Sequence, residues 1–390
     1  MPSESTTTDA TAPDPTTTDP TTHPTTTDVA ARRAAARRGC TQWLLGHGDT
    51  TPQAWLQEVA AAATEVDLDR YGEGGEVAAL EREVAELLGF PAAAFMPSGV
   101  MAQQAVLRSW VERSPTDAVA VHGLSHFVLH ELDALPELHR MRPQQLTAEP
   151  RPATVADLDG LPGPLAAVSL ELPLRDAGYL LPSWDDLVAF SSRARERGVP
   201  LHLDGARLWE SQPFYGRPLH EVAGLADSVY VSFYKGLGGL AGAAVAGHDD
   251  LVAQARRWRT RHGGTLFTLL PYAAAARHGL ATRLPRMASY VERARELAIG
   301  LAGVDGVRVL PEPPHTNAFR LFADAPVEAL DAVAVEVMER DRVALTARWR
   351  PSEVPGWSVT ELTTGDATLD WPVADQVAAL AALVGGARAR

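Results

Sequence analysis

The sequence predicts a three-layer α/β sandwich with a mostly parallel sheet, followed by a smaller α+β domain. Three observations carry that expectation. At 390 residues the chain exceeds the size at which one hydrophobic core usually stops growing, so a large and a small unit are expected. From about Tyr71 to Pro271, short apolar runs alternate with longer helical patterns, as in βαβ units on a parallel sheet. After Pro271 strands and helices follow at hairpin-like spacing, which indicates an α+β arrangement.

Taken in order, residues 1–28 are almost entirely Thr, Pro, Asp, Ser and Ala. That composition cannot offset its ordering entropy, and a disordered tail is expected. Residues 29–66 form a segment expected to pack on the small domain or at a dimer interface. Within it Arg32, Arg33, Arg37 and Arg38 read as a short basic helix that contacts an acidic surface or a partner subunit, or, as the plainer reading, is simply solvated.

The large domain is expected over 67–270, with strands at Ala94 to Met96, Ala118 to Val121, Leu165 to Leu170, Pro200 to Leu203, Ser228 to Phe233 and Ala241 to Ala246. Each run is short and nearly all apolar, as strands covered on both faces should be. Helical patterns lie at Val77 to Leu88, Met101 to Glu112, Trp184 to Glu196 and Leu251 to Arg261. The small domain is expected over 271–390. It opens with a long helix kinked at Pro285, followed by strands at Val307 to Leu310, Asn317 to Phe322, Val343 to Ala347 and Ser358 to Glu361. Helices cover Val327 to Glu339 and the carboxyl end through Val384.

Composition narrows the function classes. The 49 acidic and 35 basic residues leave a net charge of -14, which argues against nucleic acid or an acidic membrane as general partner. No apolar run is long enough to span a bilayer. The single cysteine, Cys40, excludes an intrachain disulfide and cysteine-rich metal sites. The histidines show no metal-ligand spacing, so no metal is expected. With no secretory pattern at the amino end, the cytoplasm is the expected compartment.

The chemistry concentrates at strand ends, where open α/β sheets bind ligands. Lys235 lies in Val231-Ser232-Phe233-Tyr234-Lys235-Gly236-Leu237-Gly238-Gly239, and Asp204 in Leu201-His202-Leu203-Asp204-Gly205-Ala206-Arg207. A strand-end lysine can form a Schiff base with an aldehyde, and a carboxylate nearby can hold a protonated pyridine nitrogen. Together they are what pyridoxal 5'-phosphate requires. Ser98, Gly99 and Val100 open a helix whose backbone N–H groups suit a phosphate, and His126 is placed to stack on a cofactor ring. Taken singly, such residues have plainer readings: a solvated strand-end lysine, an Asp-Gly turn, a structural histidine. Their order along the chain favours the cofactor.

At these residues the chain resembles a known family. Arg70-Tyr71-Gly72-Glu73, Pro97-Ser98-Gly99-Val100-Met101-Ala102, His202-Leu203-Asp204-Gly205-Ala206-Arg207-Leu208-Trp209, Lys235-Gly236-Leu237-Gly238, and Arg256-Arg257-Trp258-Arg259 ahead of Gly263-Gly264 are similar to the low-specificity threonine aldolases of the β-eliminating lyase group. The resemblance spans about residues 45 to 385 and implies a fold-type-I pyridoxal phosphate enzyme. It implies cleavage of a β-hydroxy-α-amino acid to glycine and an aldehyde. Lys235 and His126 would be catalytic, and Arg207 would contact the cofactor or the substrate carboxylate. Tyr71 would reach a neighbouring subunit's site in a homodimer or homotetramer.

Departures cluster on the substrate side. Gly48, in His47-Gly48-Asp49-Thr50, stands where the resemblance implies a serine at the substrate carboxylate. Trp357 stands in place of a carboxylate-binding arginine, leaving Arg348, Arg350 or Arg175 as replacements, with Arg350 taken as the substrate contact. Glu171-Leu172-Pro173-Leu174 replaces Glu-Asn-Thr-His. Phe267 takes the place of a phosphate arginine, for which Arg259 or Arg261, from either subunit, would substitute. Two other readings stay open: β-elimination giving ammonia and a keto acid, and a scaffold of the same fold without catalysis.

Overall fold

The computed structural model describes residues 26–63 and 67–390. The tail expectation over residues 1–25 lies outside them; residues 26–28 open the helix Thr26–Arg38. The strands, in chain order, are β1 (Gln42–Trp43), β2 (Ala92–Met96), β3 (Ala118–Val121), β4 (Arg142–Gln145), β5 (Ala167–Glu171), β6 (Leu201–Gly205), β7 (Ser228–Ser232), β8 (Ala243–Gly247), β9 (Val307–Leu310), β10 (Ala318–Ala323), β11 (Val343–Ala344), β12 (Arg350–Pro351) and β13 (Ser358–Thr363).

A seven-stranded sheet runs in the order β2-β8-β7-β6-β5-β3-β4. Only β8 is antiparallel to its neighbours. The apolar runs follow from burial on two sides. Ala93 and Phe95 of β2 enter one core, with Val77 and Leu80 of the helix Gly75–Leu88. Ala94 and Met96 enter the other, with Ala105 and Val106 of the helix Gly99–Val111. Alternate residues thus serve opposite layers, which makes the three-layer sandwich.

The smaller sheet, β12-β13-β10-β9, is antiparallel throughout. Its core takes in Leu330, Leu380 and Leu383 from the helices Val327–Asp341 and Val373–Arg388. The two cores meet inside the helix Met287–Leu301: Met287 and Tyr290 belong to the large one, Ala294, Leu297 and Leu301 to the small one. The expected kinked helix is three pieces, Leu270–Thr282, a 3-10 turn at Leu284–Arg286, and Met287–Leu301. Pro285 lacks the N–H that a continuous helix needs there.

The basic helix has its acidic partner within the same chain. Arg33 is 9% exposed; its guanidinium bonds Asp331 at 2.7 Å and donates to the Thr346 and Ala347 carbonyls at 3.0 and 2.8 Å. Arg32 makes a forked pair with Glu339 at 2.8 and 2.7 Å, but at the surface, where such pairs contribute little. Leu44 then joins the small core, and β1 pairs in parallel with β11. Arg33→Ala strands a carboxylate and two carbonyls, and should cost about 2 to 4 kcal/mol in denaturant unfolding. Limited proteolysis ahead of Leu44 should accelerate in the variant; unchanged cleavage would show that the helix is held by other contacts.

Candidate active site

Because β2, β3, β5, β6 and β7 run the same way, their carboxyl ends share one edge of the sheet. There Gly99, Val100, His126, Asp204, Arg207 and Lys235 line a single pocket. An adjoining hollow of about 490 Å³ shares Tyr234 and Lys235 with it and is lined by Gly48.

At the end of β2, Ser98 is the extended N-cap of the helix Gly99–Val111, and its Oγ accepts the Met101 N–H at 3.2 Å. The next residue must be glycine for want of room. A Cβ on Gly99 would lie 2.2 Å from Tyr230 Oη, and Tyr230 is buried. Gly99→Ala should therefore destabilise the protein by about 1 to 3 kcal/mol. Adding Tyr230→Phe removes the nearest atom and should restore part of the loss. Thermal melts of both single variants and the double variant check this; independent, additive effects would show that the contact is not the cause.

Asp204, on β6, is 1% exposed. The Ala206 N–H donates to its Oδ1 at 3.2 Å, and among the described residues no cation stands within ion-pair distance. Burial raises its pKa, opposed by the charge of Lys235. Lys235 follows β7; burial and then the charge of Arg207 pull its amine below the ordinary lysine value. A depressed pKa leaves more free amine at neutral pH, as a nucleophile needs.

Glu171, the last residue of β5, is paired in register with Asp204 and lines the same pocket. Its carboxylate accepts the His126 N–H at 2.8 Å and the Arg175 N–H at 3.1 Å. Burial and the neighbouring Asp204 both raise its pKa. His126 opens the short helix His126–Leu129, and its Nδ1 donates to Glu131 Oε1 at 2.9 Å. Glu131 is itself held by Gln104 Nε2 at 2.7 Å. The bond to Glu131 raises the imidazole pKa and fixes the ring with Nδ1 protonated.

Two arginines reach the pocket, and each has a carboxylate. Arg207 Nη1 donates to Glu210 Oε1 at 3.2 Å, an oxygen that also accepts the Gly236 N–H at 2.9 Å. The same guanidinium lies 5.5 Å from the Tyr179 ring centre. Arg175 Nη2 donates to Glu361 Oε2 at 2.9 Å, as does the Tyr179 hydroxyl, also at 2.9 Å.

Several expected contacts fall elsewhere. Arg350 is exposed on β12, outside the pocket lining, where it donates to Glu361 Oε1 at 3.3 Å. Tyr71 is 57% exposed and packs edge-on against Phe267, away from this chain's own pocket. Arg259 is buried, donating to the Phe95 carbonyl at 2.8 Å, and Arg261 lies over Trp258 near Glu112; neither lines this chain's own pocket. Trp357 faces Arg308 and does not line the pocket. Glu131, Glu171, Glu210 and Glu361, by contrast, had no assigned role in the sequence reading.

The pocket fits pyridoxal 5'-phosphate by its donor set. It offers an amine and a buried carboxylate without ion-pair partners among the described residues, a helix start that a Cβ would obstruct, and a buried Arg207 Nε with no partner among those residues.

The chain is similar to several known proteins. The model of the family described as beta-eliminating lyase matches residues 48–325. Aldolase vrtJ of Penicillium aethiopicum is 34% identical over 239 residues, covering 59% of this chain and 61% of that protein. The low specificity L-threonine aldolase of Escherichia coli (strain K12) is 31% identical over 276 residues, 66% of this chain and 79% of that protein. A crystal structure from Exiguobacterium sp. 255-15, of a protein assigned as an aromatic amino acid beta-eliminating lyase/threonine aldolase, superposes with a TM-score of 0.85 at 37% identity. It covers 90% of this chain and 99% of its own. The family match takes in every residue lining the pocket at the sheet's edge, and the chain belongs to the beta-eliminating lyase family.

Proposed function

We propose that this protein cleaves the Cα–Cβ bond of a β-hydroxy-α-amino acid, giving glycine and an aldehyde. The observation that carries the reading is Lys235 and Asp204 facing one pocket without ion-pair partners among the described residues, with the His126 ring beside them. Pyridoxal 5'-phosphate, when bound, supplies a ring that withdraws the electrons of the breaking bond.

The chain's own groups do the rest. Asp204 holds the proton on the ring nitrogen, and the N–H groups at Gly99 and Val100 with the Ser98 hydroxyl hold the phosphate. His126, its Nδ1 occupied by Glu131, has Nε2 left to accept the proton of the substrate's β-hydroxyl as the aldehyde forms. Lys235, with its depressed pKa, returns a proton to Cα, which completes glycine. The threonine aldolases among the similar proteins support this substrate class. The exposed pair Tyr71 and Phe267, 57% and 60% exposed, supports a homodimer or homotetramer. No helix among the described residues is long and apolar enough to cross a membrane, which fits the cytoplasm.

The test is product analysis of the cofactor-loaded protein with threonine, allo-threonine, phenylserine and serine. Glycine and aldehyde in equal amounts support the reading. Ammonia and a keto acid would assign β-elimination instead, in which Lys235 would take a proton from Cα rather than return one.

A further inference from the structure

An amino-acid substrate brings a carboxylate into a pocket where an unpaired anion is costly, so some cation must meet it. Four cationic or basic groups line the pocket: Lys235, His126, Arg207 and Arg175. Lys235 and His126 are committed to proton transfer. Arg207 shares its charge with Glu210, which is fully buried, and its face packs on Tyr179.

Arg175 is differently placed. Its partner Glu361 lies on β13, in the small sheet, and also receives Arg350 at 3.3 Å. Asp176 is bonded to His130 Nε2 at 2.7 Å and shared between Arg175 and Arg320, each at 3.8 Å. Three guanidiniums, Arg175, Arg320 and Arg350, thus face two carboxylates, and the cluster keeps one positive charge in excess. Within the cluster only Arg175 lines the pocket. A guanidinium forks naturally onto a carboxylate, and the ion pair with Glu361 leaves part of that fork free. The Arg175 side chain remains 30% exposed.

We infer that Arg175 receives the α-carboxylate of the substrate, with Glu361 as its positioning residue. The inference rests on the amino-acid substrate class proposed above. It also gives the small sheet a part in recognition: β13 supplies the carboxylate that sets the arginine, and the loop after β5 supplies the arginine itself.

The experiment reads ligand binding through the visible absorbance of the cofactor-loaded protein. Glycine and 2-aminoethanol, an amine of similar size without a carboxylate, are titrated into wild type, Arg175→Ala and Arg175→Lys. Arg175→Ala should weaken glycine by about 10- to 100-fold and leave 2-aminoethanol unchanged, with Arg175→Lys in between. Glu361→Gln should raise KM for the β-hydroxy amino acid more than it lowers kcat. Equal glycine affinity in all three proteins overturns the inference alone, and so does equal weakening of both ligands in Arg175→Ala. A wild-type spectrum indifferent to glycine and to every β-hydroxy amino acid overturns the proposed function and this inference together.

Discussion

Lys235→Ala, loaded with pyridoxal phosphate, should lack the visible absorption of a lysine-linked cofactor. Its turnover should fall by at least roughly a thousandfold. In the proposed reaction lysine is required at two points, to attach the cofactor and to move the proton at Cα, and no second amine stands in the pocket: Lys235 is the only lysine lining it. The substitution also takes the positive charge from beside Asp204 and Glu171, whose pKa values it opposes. Both carboxyl groups should then bind protons more readily, which spares the fold the cost of bare buried charge. The variant should therefore remain folded by circular dichroism while losing both absorbance and glycine formation. A variant that keeps either signal would remove Lys235 from the chemistry.

The layers of the sandwich were legible because burial on two faces writes itself as short apolar runs, and β2, β3, β5, β6, β7 and β8 all carry that mark. The edge strand β4, Arg-Pro-Gln-Gln, carries none: its residues are largely exposed, and only its pairing with β3 makes it a strand. Strand ends could be listed from the sequence, but the order of strands could not. The adjacency of Glu171 and Asp204 is a product of register between parallel strands joined by a crossover, and no local pattern records it. Glu131, Glu210 and Glu361 stayed invisible for a related reason, since each acts by holding another side chain. The sequence could not separate Arg350 from Arg175 on the same ground. The two differ by which one faces the pocket, and that depends on how the small sheet lies against the loop after β5. Arg33 found its acidic partner 298 positions away, a distance over which charge patterning says nothing.

Asp204→Asn should separate stability from activity, moving the two in opposite directions. In the empty protein Asp204 is a buried carboxyl whose pKa is raised above the ordinary range by burial, even with Lys235 opposing. The folded state then binds the proton more tightly than the unfolded state does. Stability from this group is greatest below the unfolded carboxylate pKa and declines as pH climbs from there through the folded value. At neutral pH the ionised side chain is a net cost, and an amide of the same shape avoids it. The empty Asp204→Asn protein should be more stable than wild type by about 1 to 3 kcal/mol, and its stability should vary less between acid and neutral pH. With cofactor the balance should reverse, because on the proposed reading the charge that burdens the empty fold is what would hold a proton on the ring nitrogen. An amide cannot do this, so kcat should fall by roughly 100- to 1000-fold and cofactor should dissociate more readily. Melting curves of empty and loaded protein across pH, beside rates of glycine release, test both halves. If the empty variant is less stable at neutral pH, Asp204 is a structural carboxylate satisfied by Ala206 and Lys235. If activity survives, the ring nitrogen has another partner. The opposed changes follow only if this carboxylate is kept buried, at a cost to the fold, for the cofactor it receives.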